Sequence, residues 1–567
     1  MVILILDLFN SLNSFENIKN VKEIKKNNDN FEVNYSKIYE FTLNIQKQNF
    51  DIIMCIPEEW NLKLIDFYIK DYKNIKFIPH LEENGKICLF DKEGLLVEEN
   101  LNGIAIESIE RLNKVLYEGL NDINKLDFIN EFDAYWNLLS TNNIAKSNVN
   151  LSNDIKIIKY KIKNNKKNID LVFSDDENSF KVYNIKGSIK NAIYIPIKSK
   201  EYIYPPDWRK NFDFYKFCSL LNIEYIFSSK YINKCGNDLV LLINITQPNK
   251  TNCLISLYIK NIKQYTINIK NNTLILPNIT GIPLSVYRCD EEYLLGRGGI
   301  ERVFSNKKIL VIGCGSVGGY LVDELVKSGF LNICLVDYDI LSYNNIYRHL
   351  LGLEYIGEYK TTAIIRYLSK NLPHAKVISH EDSIRLLLEE GSLELSDFDL
   401  IISSTGDINL NRWLNKYIKI KKIITPVIYL WNEALGIGSH ALYIKDNYLG
   451  CFECTIGKDE LGIYDKTSYF ERGQTFTKKM NSCNSTFVPY GSIHSVRTAI
   501  LGVDIAIKHM NGNIKENFLI SIKDDGTVYL KENLKLSNRY IKQKNKQQII
   551  SGENFDRKNC FICKRKT

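Results

Sequence analysis

Gly313, Gly315 and Gly318 stand in G-x-G-x-x-G spacing directly after the apolar run Ile309–Ile312. A glycine turn between a strand and a helix lets backbone N–H groups come close to phosphate oxygens. A second apolar run ends in Asp337, 19 residues beyond Gly318. A carboxylate at that position binds a nucleotide ribose. So far NAD, FAD and ATP fit equally well. Asn345, Arg348, Lys360 and Asp407 then follow. Hydride transfer has no use for such cations beside a phosphate turn. Attack on an α-phosphate does, because charge grows on the phosphoryl oxygens and the departing pyrophosphate. An NAD-dependent oxidoreductase would leave Arg348, Lys360 and Asp407 without a role. The pattern therefore predicts an ATP site, with Asp407 able to hold Mg²⁺.

Cysteines supply the second kind of chemistry. Cys451 and Cys454 form one C-x-x-C pair, and Cys560 and Cys563 form another about a hundred residues later. Four thiolates suit a closed, structural Zn²⁺ site that would tie the end of the chain to the nucleotide domain. Cys483 lies between the pairs, after a polar stretch and shortly before the helical apolar spacing Val496, Ile500, Val503, Ile507. A helix start favours a thiolate. Near the other end, Cys88 closes the strip Ile78-Pro79-His80-Leu81-Glu82-Glu83-Asn84-Gly85-Lys86-Ile87-Cys88-Leu89.

The elements that must carry these residues fall into three stretches. A chain of 567 residues is too long for one core. Residues 285–567 read as a Rossmann-like α/β domain. Residues 148–284 hold short β-rich runs separated by turns, with no chemical constellation, and read as an adaptor. Residues 1–147 end in two helical patterns, whose Phe132, Tyr135 and Trp136 are expected in a core. Cys218, Cys235 and Cys253 are expected to pack.

Composition narrows the partners. A net charge of +8 from 74 basic and 66 acidic residues gives no argument for nucleic acid. No 18-residue apolar run predicts a membrane span. Met1–Asp7 reads as a first strand or helix instead of a signal peptide. With thirteen cysteines and no secretion signal, reduced thiols in a cytoplasm are expected.

The order Gly313–Gly318, Asp337, Asn345, Arg348, Lys360, Asp407 resembles the ThiF/MoeB/E1 superfamily, from about Tyr287 to Cys563. The resemblance implies adenylation of a C-terminal carboxylate, zinc on the four cysteines, and an acceptor cysteine in the loop of Cys483. It also implies a homodimer through the adenylation domain, with Arg288 or Arg297 reaching a nucleotide phosphate. The strip around Cys88 resembles that of ubiquitin-conjugating (E2) enzymes, which makes residues 1–147 an α+β E2-like domain. Cys88 falls on the thioester cysteine, and His80 stands where the family has an asparagine that supports the oxyanion. His80 could donate to that oxyanion, take a proton from the attacking amine, or serve as a structural hydrogen bonder.

Both domains on one chain resemble the E1–E2 fusion proteins of bacterial anti-phage CBASS systems. The resemblance implies that the C-terminus of a cGAS/DncV-like nucleotidyltransferase is activated, carried on Cys483 and then Cys88, and joined to an amine of a target protein. A sulfur-carrier activating enzyme of the MoeB/ThiF type is the alternative, and the strip around Cys88 argues against it.

Overall fold

The computed structural model describes residues 12–563, apart from 25–34, 91–98, 164–167, 178–179, 181–186, 228, 265–267, 271–272, 276–278, 301–303, 477, 480–485 and 532. Met1–Asp7 therefore lies outside the described residues. The chain divides into two compact units, Met1–Asp290 and Glu291–Thr567. Their architecture is the mixed α/β arrangement expected, with a sheet-rich middle.

The first unit opens with an antiparallel sheet in sequential order: Ile18–Glu23, Tyr35–Ile45, Gln48–Pro57, Asp66–Ile69 and Lys86–Ile87. Alternation along Tyr35–Ile45 turns Tyr39, Phe41, Leu43 and Ile45 to one face. Helix Leu101–Leu120 covers that face with Leu101, Ala105, Ile109, Leu112 and Leu116, a spacing of three and four residues. Asn100 caps it by accepting the Gly103 N–H at 3.1 Å.

Two short helices, Asp127–Asn130 and Phe132–Leu139, lead into a closed barrel. Around the barrel run Leu239–Thr246, Asn252–Ile259, Ile282–Arg288, Ile144–Asn148, Asp170–Ser174, Lys156–Lys163 and Lys190–Lys198. Closure leaves no sheet edge, and Tyr160, Phe173, Tyr194, Leu242 and Leu284 fill its interior. The strands Ile144–Asn148 and Ile282–Arg288 straddle positions 147/148 and 284/285. Phe132 and Trp136 pack with Phe214, Phe217 and Leu241 of the barrel region, as core residues. Cys218, Cys235 and Cys253 are buried.

The second unit is built on an eight-stranded sheet in the order Lys376–His380, Asn332–Val336, Lys308–Ile312, Leu400–Ser403, Val427–Asn432, Gly438–Ile444, Phe518–Lys523 and Gln547–Ser551. The strands from Lys376–His380 to Val427–Asn432 are parallel. Ile309–Ile312 and Leu400–Ser403 are buried throughout, as parallel strands covered on both faces must be. Helix Ser316–Lys327 lies against helix Ser492–Met510.

Candidate functional site

The parallel strands bring their carboxyl ends to one edge, where an α/β sheet binds its ligands. A cleft of about 430 Å³ opens there. It is lined by Gly313, Gly315, Asp337, Asn345, Arg348, Lys360 and Asp407, so residues spread over nearly a hundred positions of sequence meet in one place. Gly313 has φ +90°, and a Cβ there would sit 2.9 Å from the Thr405 nitrogen. A Cβ on Gly318 would overlap the Gly313 carbonyl oxygen.

The glycine turn is held from several sides. The Gly313 N–H donates to Val336 O at 2.9 Å, and Ser404 Oγ donates to Gly313 O at 2.7 Å. The Cys314 N–H donates to Asp337 Oδ2 at 2.6 Å. His349 Nε2 lies 2.8 Å from Cys314 O, while its Nδ1 accepts the Leu351 N–H at 3.1 Å. Because Nδ1 accepts, Nε2 carries the proton and donates to the carbonyl. Burial pushes the His349 pKa down to about 4, which keeps this tautomer neutral. His349 was not singled out in the sequence, although it adjoins Arg348. Asp337 is shifted upward by burial, against the pull of its backbone N–H donors and Lys360.

Lys360 is 7% exposed and pairs with Asp339 Oδ2 at 2.6 Å. A phosphate oxygen entering the cleft would compete with Asp339 for that ammonium. The Arg348 guanidinium lies 5.5 Å from the Tyr490 ring centre. Asn345 Oδ1 accepts from Ser342 N and Oγ, both at 3.0 Å, which fixes the segment leading to Arg348. Asp407 caps helix Ile408–Lys421, its Oδ1 accepting the Asn409 and Leu410 N–H groups at 2.8 and 3.1 Å. It is exposed and shares the cleft with Asp337 and Asp339.

Cys483 lies outside the described residues. The segment after it returns to the cleft: Val488 and Tyr490 line it, and Tyr490 Oη is 2.7 Å from Ser316 Oγ. Arg297 ends helix Glu291–Arg297, exposed and not among the described residues lining the cleft. Arg288, in the first unit, makes a two-point ion pair with buried Asp290 at 2.8 and 2.9 Å.

Cys451, Cys454, Cys560 and Cys563 converge with all four sulfurs within 4.8 Å of one another. Their separations of 3.8 Å (451–454), 3.7 Å (451–560) and 3.6 Å (454–563) are too long for disulfides. Tetrahedral Zn–S bonds of about 2.3 Å would set the sulfurs about 3.8 Å apart. The donor set therefore fits Zn²⁺.

In the first unit, Cys88 directly follows strand Lys86–Ile87 and is half-buried. Its N–H donates to the His80 carbonyl at 2.9 Å. His80 has φ +65°, an uncommon conformation for this residue. Its N–H donates to Tyr135 Oη at 2.7 Å, and Tyr135 in turn donates to Glu131 Oε2 at 3.0 Å. Both ring nitrogens face carboxylates: Nε2 is 3.0 Å from Asp127 and Nδ1 is 3.1 Å from Glu131. The Glu131 hydrogen bond, ahead of burial acting the other way, raises the His80 pKa above its ordinary value. Asp127, Glu131 and Tyr135 were not marked as site residues in the sequence. Their spacing of four along a helical stretch was the available signal.

Residues 292–557 match the ThiF family and residues 18–145 match Prokaryotic E2 family B. The ATP-dependent ubiquitin transferase-like protein Cap2 of Pseudomonas aeruginosa is 30% identical over 240 residues, 41% of either chain. The protein of the same description from Escherichia coli is 26% identical over 481 residues, 75% of this chain and 79% of that protein. Among solved structures, E. coli MccB with ATP aligns at 21% identity over 48% of this chain and 68% of its own, with a TM-score of 0.34. An E2-like segment followed by a ThiF segment makes this chain an E1–E2 fusion.

Proposed function

We propose that the protein activates the C-terminal carboxylate of another protein with ATP and conjugates it to an amine. The carboxylate attacks the α-phosphorus of ATP, forming an acyl adenylate as the bond to pyrophosphate breaks. Lys360 and Arg348 take the phosphate charge, Asn345 orients the segment carrying Arg348, and Asp337 binds the ribose. Asp407 would hold Mg²⁺, which when bound neutralises phosphate charge. The Cys483 thiolate then displaces AMP, Cys88 takes the acyl group by thioester exchange, and an amine attacks the acyl carbon on Cys88, giving an amide and releasing the Cys88 thiolate.

Cys451, Cys454, Cys560 and Cys563 hold Zn²⁺ as a structural ion in this reading. The substrate is a cGAS/DncV-like nucleotidyltransferase in anti-phage defence, the protein works in the cytoplasm, and two copies pair through the adenylation domain. Arg288 or Arg297 then reaches a phosphate across that pair.

The observation that carries this reading is one chain with both a ThiF cleft lined by Arg348, Lys360 and Asp407 and a half-buried Cys88 in an E2-family segment. Pyrophosphate exchange into ATP, dependent on the nucleotidyltransferase, tests activation. In Cys88→Ala a reductant-sensitive adduct should remain on Cys483 and no amide should form. Amide formation by Cys88→Ala at the original rate would overturn the E2-like role of Cys88, whereas carrier-dependent pyrophosphate exchange with no amide from the unaltered chain would favour sulfur-carrier activation.

A further inference from the structure

The short helices between the E2-like sheet and the barrel face both ways. On the sheet side Asp127, Glu131 and Tyr135 surround His80. Tyr135 also meets Phe77 and Phe128 edge-on, with ring centres 5.6 and 5.1 Å apart. One residue on, Trp136 turns to the barrel. Its Nε1–H donates to Leu284 O at 3.0 Å, and its ring lies 5.2 Å from Phe217. Ser140 and Ser285 share a hydroxyl contact of 2.5 Å. From the barrel side, Arg209 donates to the Tyr72 and Ile75 carbonyls and lies 5.3 Å over the Phe77 ring. The turn ahead of Cys88 is thus braced by elements that the barrel itself fixes.

We propose that the barrel is part of the conjugation site: it anchors Asp127, Glu131 and Tyr135, which hold His80 as a positioning residue so that the turn at residue 80 presents Cys88. This rests on the conjugation reading above. Both ring nitrogens of His80 lie within 3.1 Å of carboxylate oxygens, and its main chain is tied at the N–H to Tyr135 and at the carbonyl to Cys88. When an amine attacks the Cys88 thioester, the new C–N bond replaces C–S, the thiolate leaves, and the amine proton passes to solvent.

The test uses the full chain carrying Cys483→Ala. Cys88 is charged directly with a glycine-ending peptide thioester of 2-mercaptoethanesulfonate, and its discharge to free lysine is followed at pH 7. Glu131→Gln separates the roles by sign. A histidine acting as proton acceptor would lose a carboxylate that keeps it protonated, and discharge would speed up. A positioning histidine would lose its brace, and discharge should slow by about tenfold. Unchanged or faster discharge overturns the proposal.

Trp136→Phe, with a melting curve to confirm folding, should also slow discharge, whereas an unchanged rate removes the barrel from the site. If Ser285→Ala, which deletes one barrel contact without opening a large cavity, slows discharge at unchanged melting temperature, the barrel's part is supported without a packing defect. Failure of Cys88 to take the acyl group in the chain altered only at Cys483 would overturn the conjugation reading itself, and with it this proposal.

Discussion

Glu131 Oε1 stands 3.1 Å from His80 Nδ1 and completes a clamp in which the imidazole lies between two carboxylates. The Glu131 hydrogen bond heads the influences that raise the His80 pKa above 6.5, while Glu131 is lowered from 4.5 by His80 against the opposing effect of burial. For a raised base the stabilisation is full below the ordinary value and is lost as pH rises through the folded-state value. For the lowered carboxylate it is present above 4.5 and lost as pH falls through its own folded value.

The clamp is therefore strongest between these limits and weakens on the alkaline side above pH 6.5. An NMR titration of His80 should give a midpoint above 6.5 that moves down in Glu131→Gln. Protection of the Cys88 amide, corrected for intrinsic exchange, should decline through the same midpoint. A midpoint at or below 6.5 in the unaltered chain would contradict the clamp.

Lys360 and Arg348 line the cleft from different segments, and their effects on the transition state should be large. Lys360→Ala and Arg348→Ala are each expected to reduce pyrophosphate exchange by about a hundredfold or more, with little change in melting temperature. A loss below about threefold in both would remove them from phosphate stabilisation.

His349 fixes the carbonyl of the glycine turn while remaining neutral. His349→Ala should raise the KM for ATP by about tenfold, the effect of losing a buried hydrogen bond and loosening the turn. His349→Gln, which keeps a donor, should recover most of it. Because burial pushes the pKa down to about 4 from 6.5, the unfolded chain takes up the proton first as pH falls below 6.5. The unit should lose stability from pH 6.5 towards 4. Thermal melts at several pH values should show a smaller loss in His349→Gln.

Zinc is expected at one ion per chain by elemental analysis. Cys560→Ser should lower both the zinc content and the melting temperature, the latter by about 10 °C or more. Cys334→Ser, at a buried cysteine outside the cluster, should keep the ion. Full zinc content in Cys560→Ser would dismiss the cluster as a metal site.

That Gly313, Asp337 and Asp407 share one cleft was legible from the chain because parallel strands deliver their chemistry at neighbouring carboxyl ends. Each of these residues follows an apolar run, and the three parallel strands that precede them are neighbours in the sheet and end at one edge. The paired cysteines were legible for a similar reason: a C-x-x-C turn sets two sulfurs on one side, whatever lies between the pairs. The helix carrying Phe132 and Trp136 announced itself by apolar periodicity.

Contacts across sequence were another matter. From the sequence His80 could be an oxyanion donor, a proton acceptor or a structural hydrogen bonder; folding brings Asp127 and Glu131, 47 and 51 residues away, against both nitrogens. His349 gains its neutral form only through burial behind the glycine turn. The β-rich runs between residues 148 and 284 gave no closure, because alternation sets which side chains share a face but not which strands pair. A pattern of residue types fixes the reactions that are possible; the protonation state and orientation of each group depend on neighbours that only the folded chain supplies.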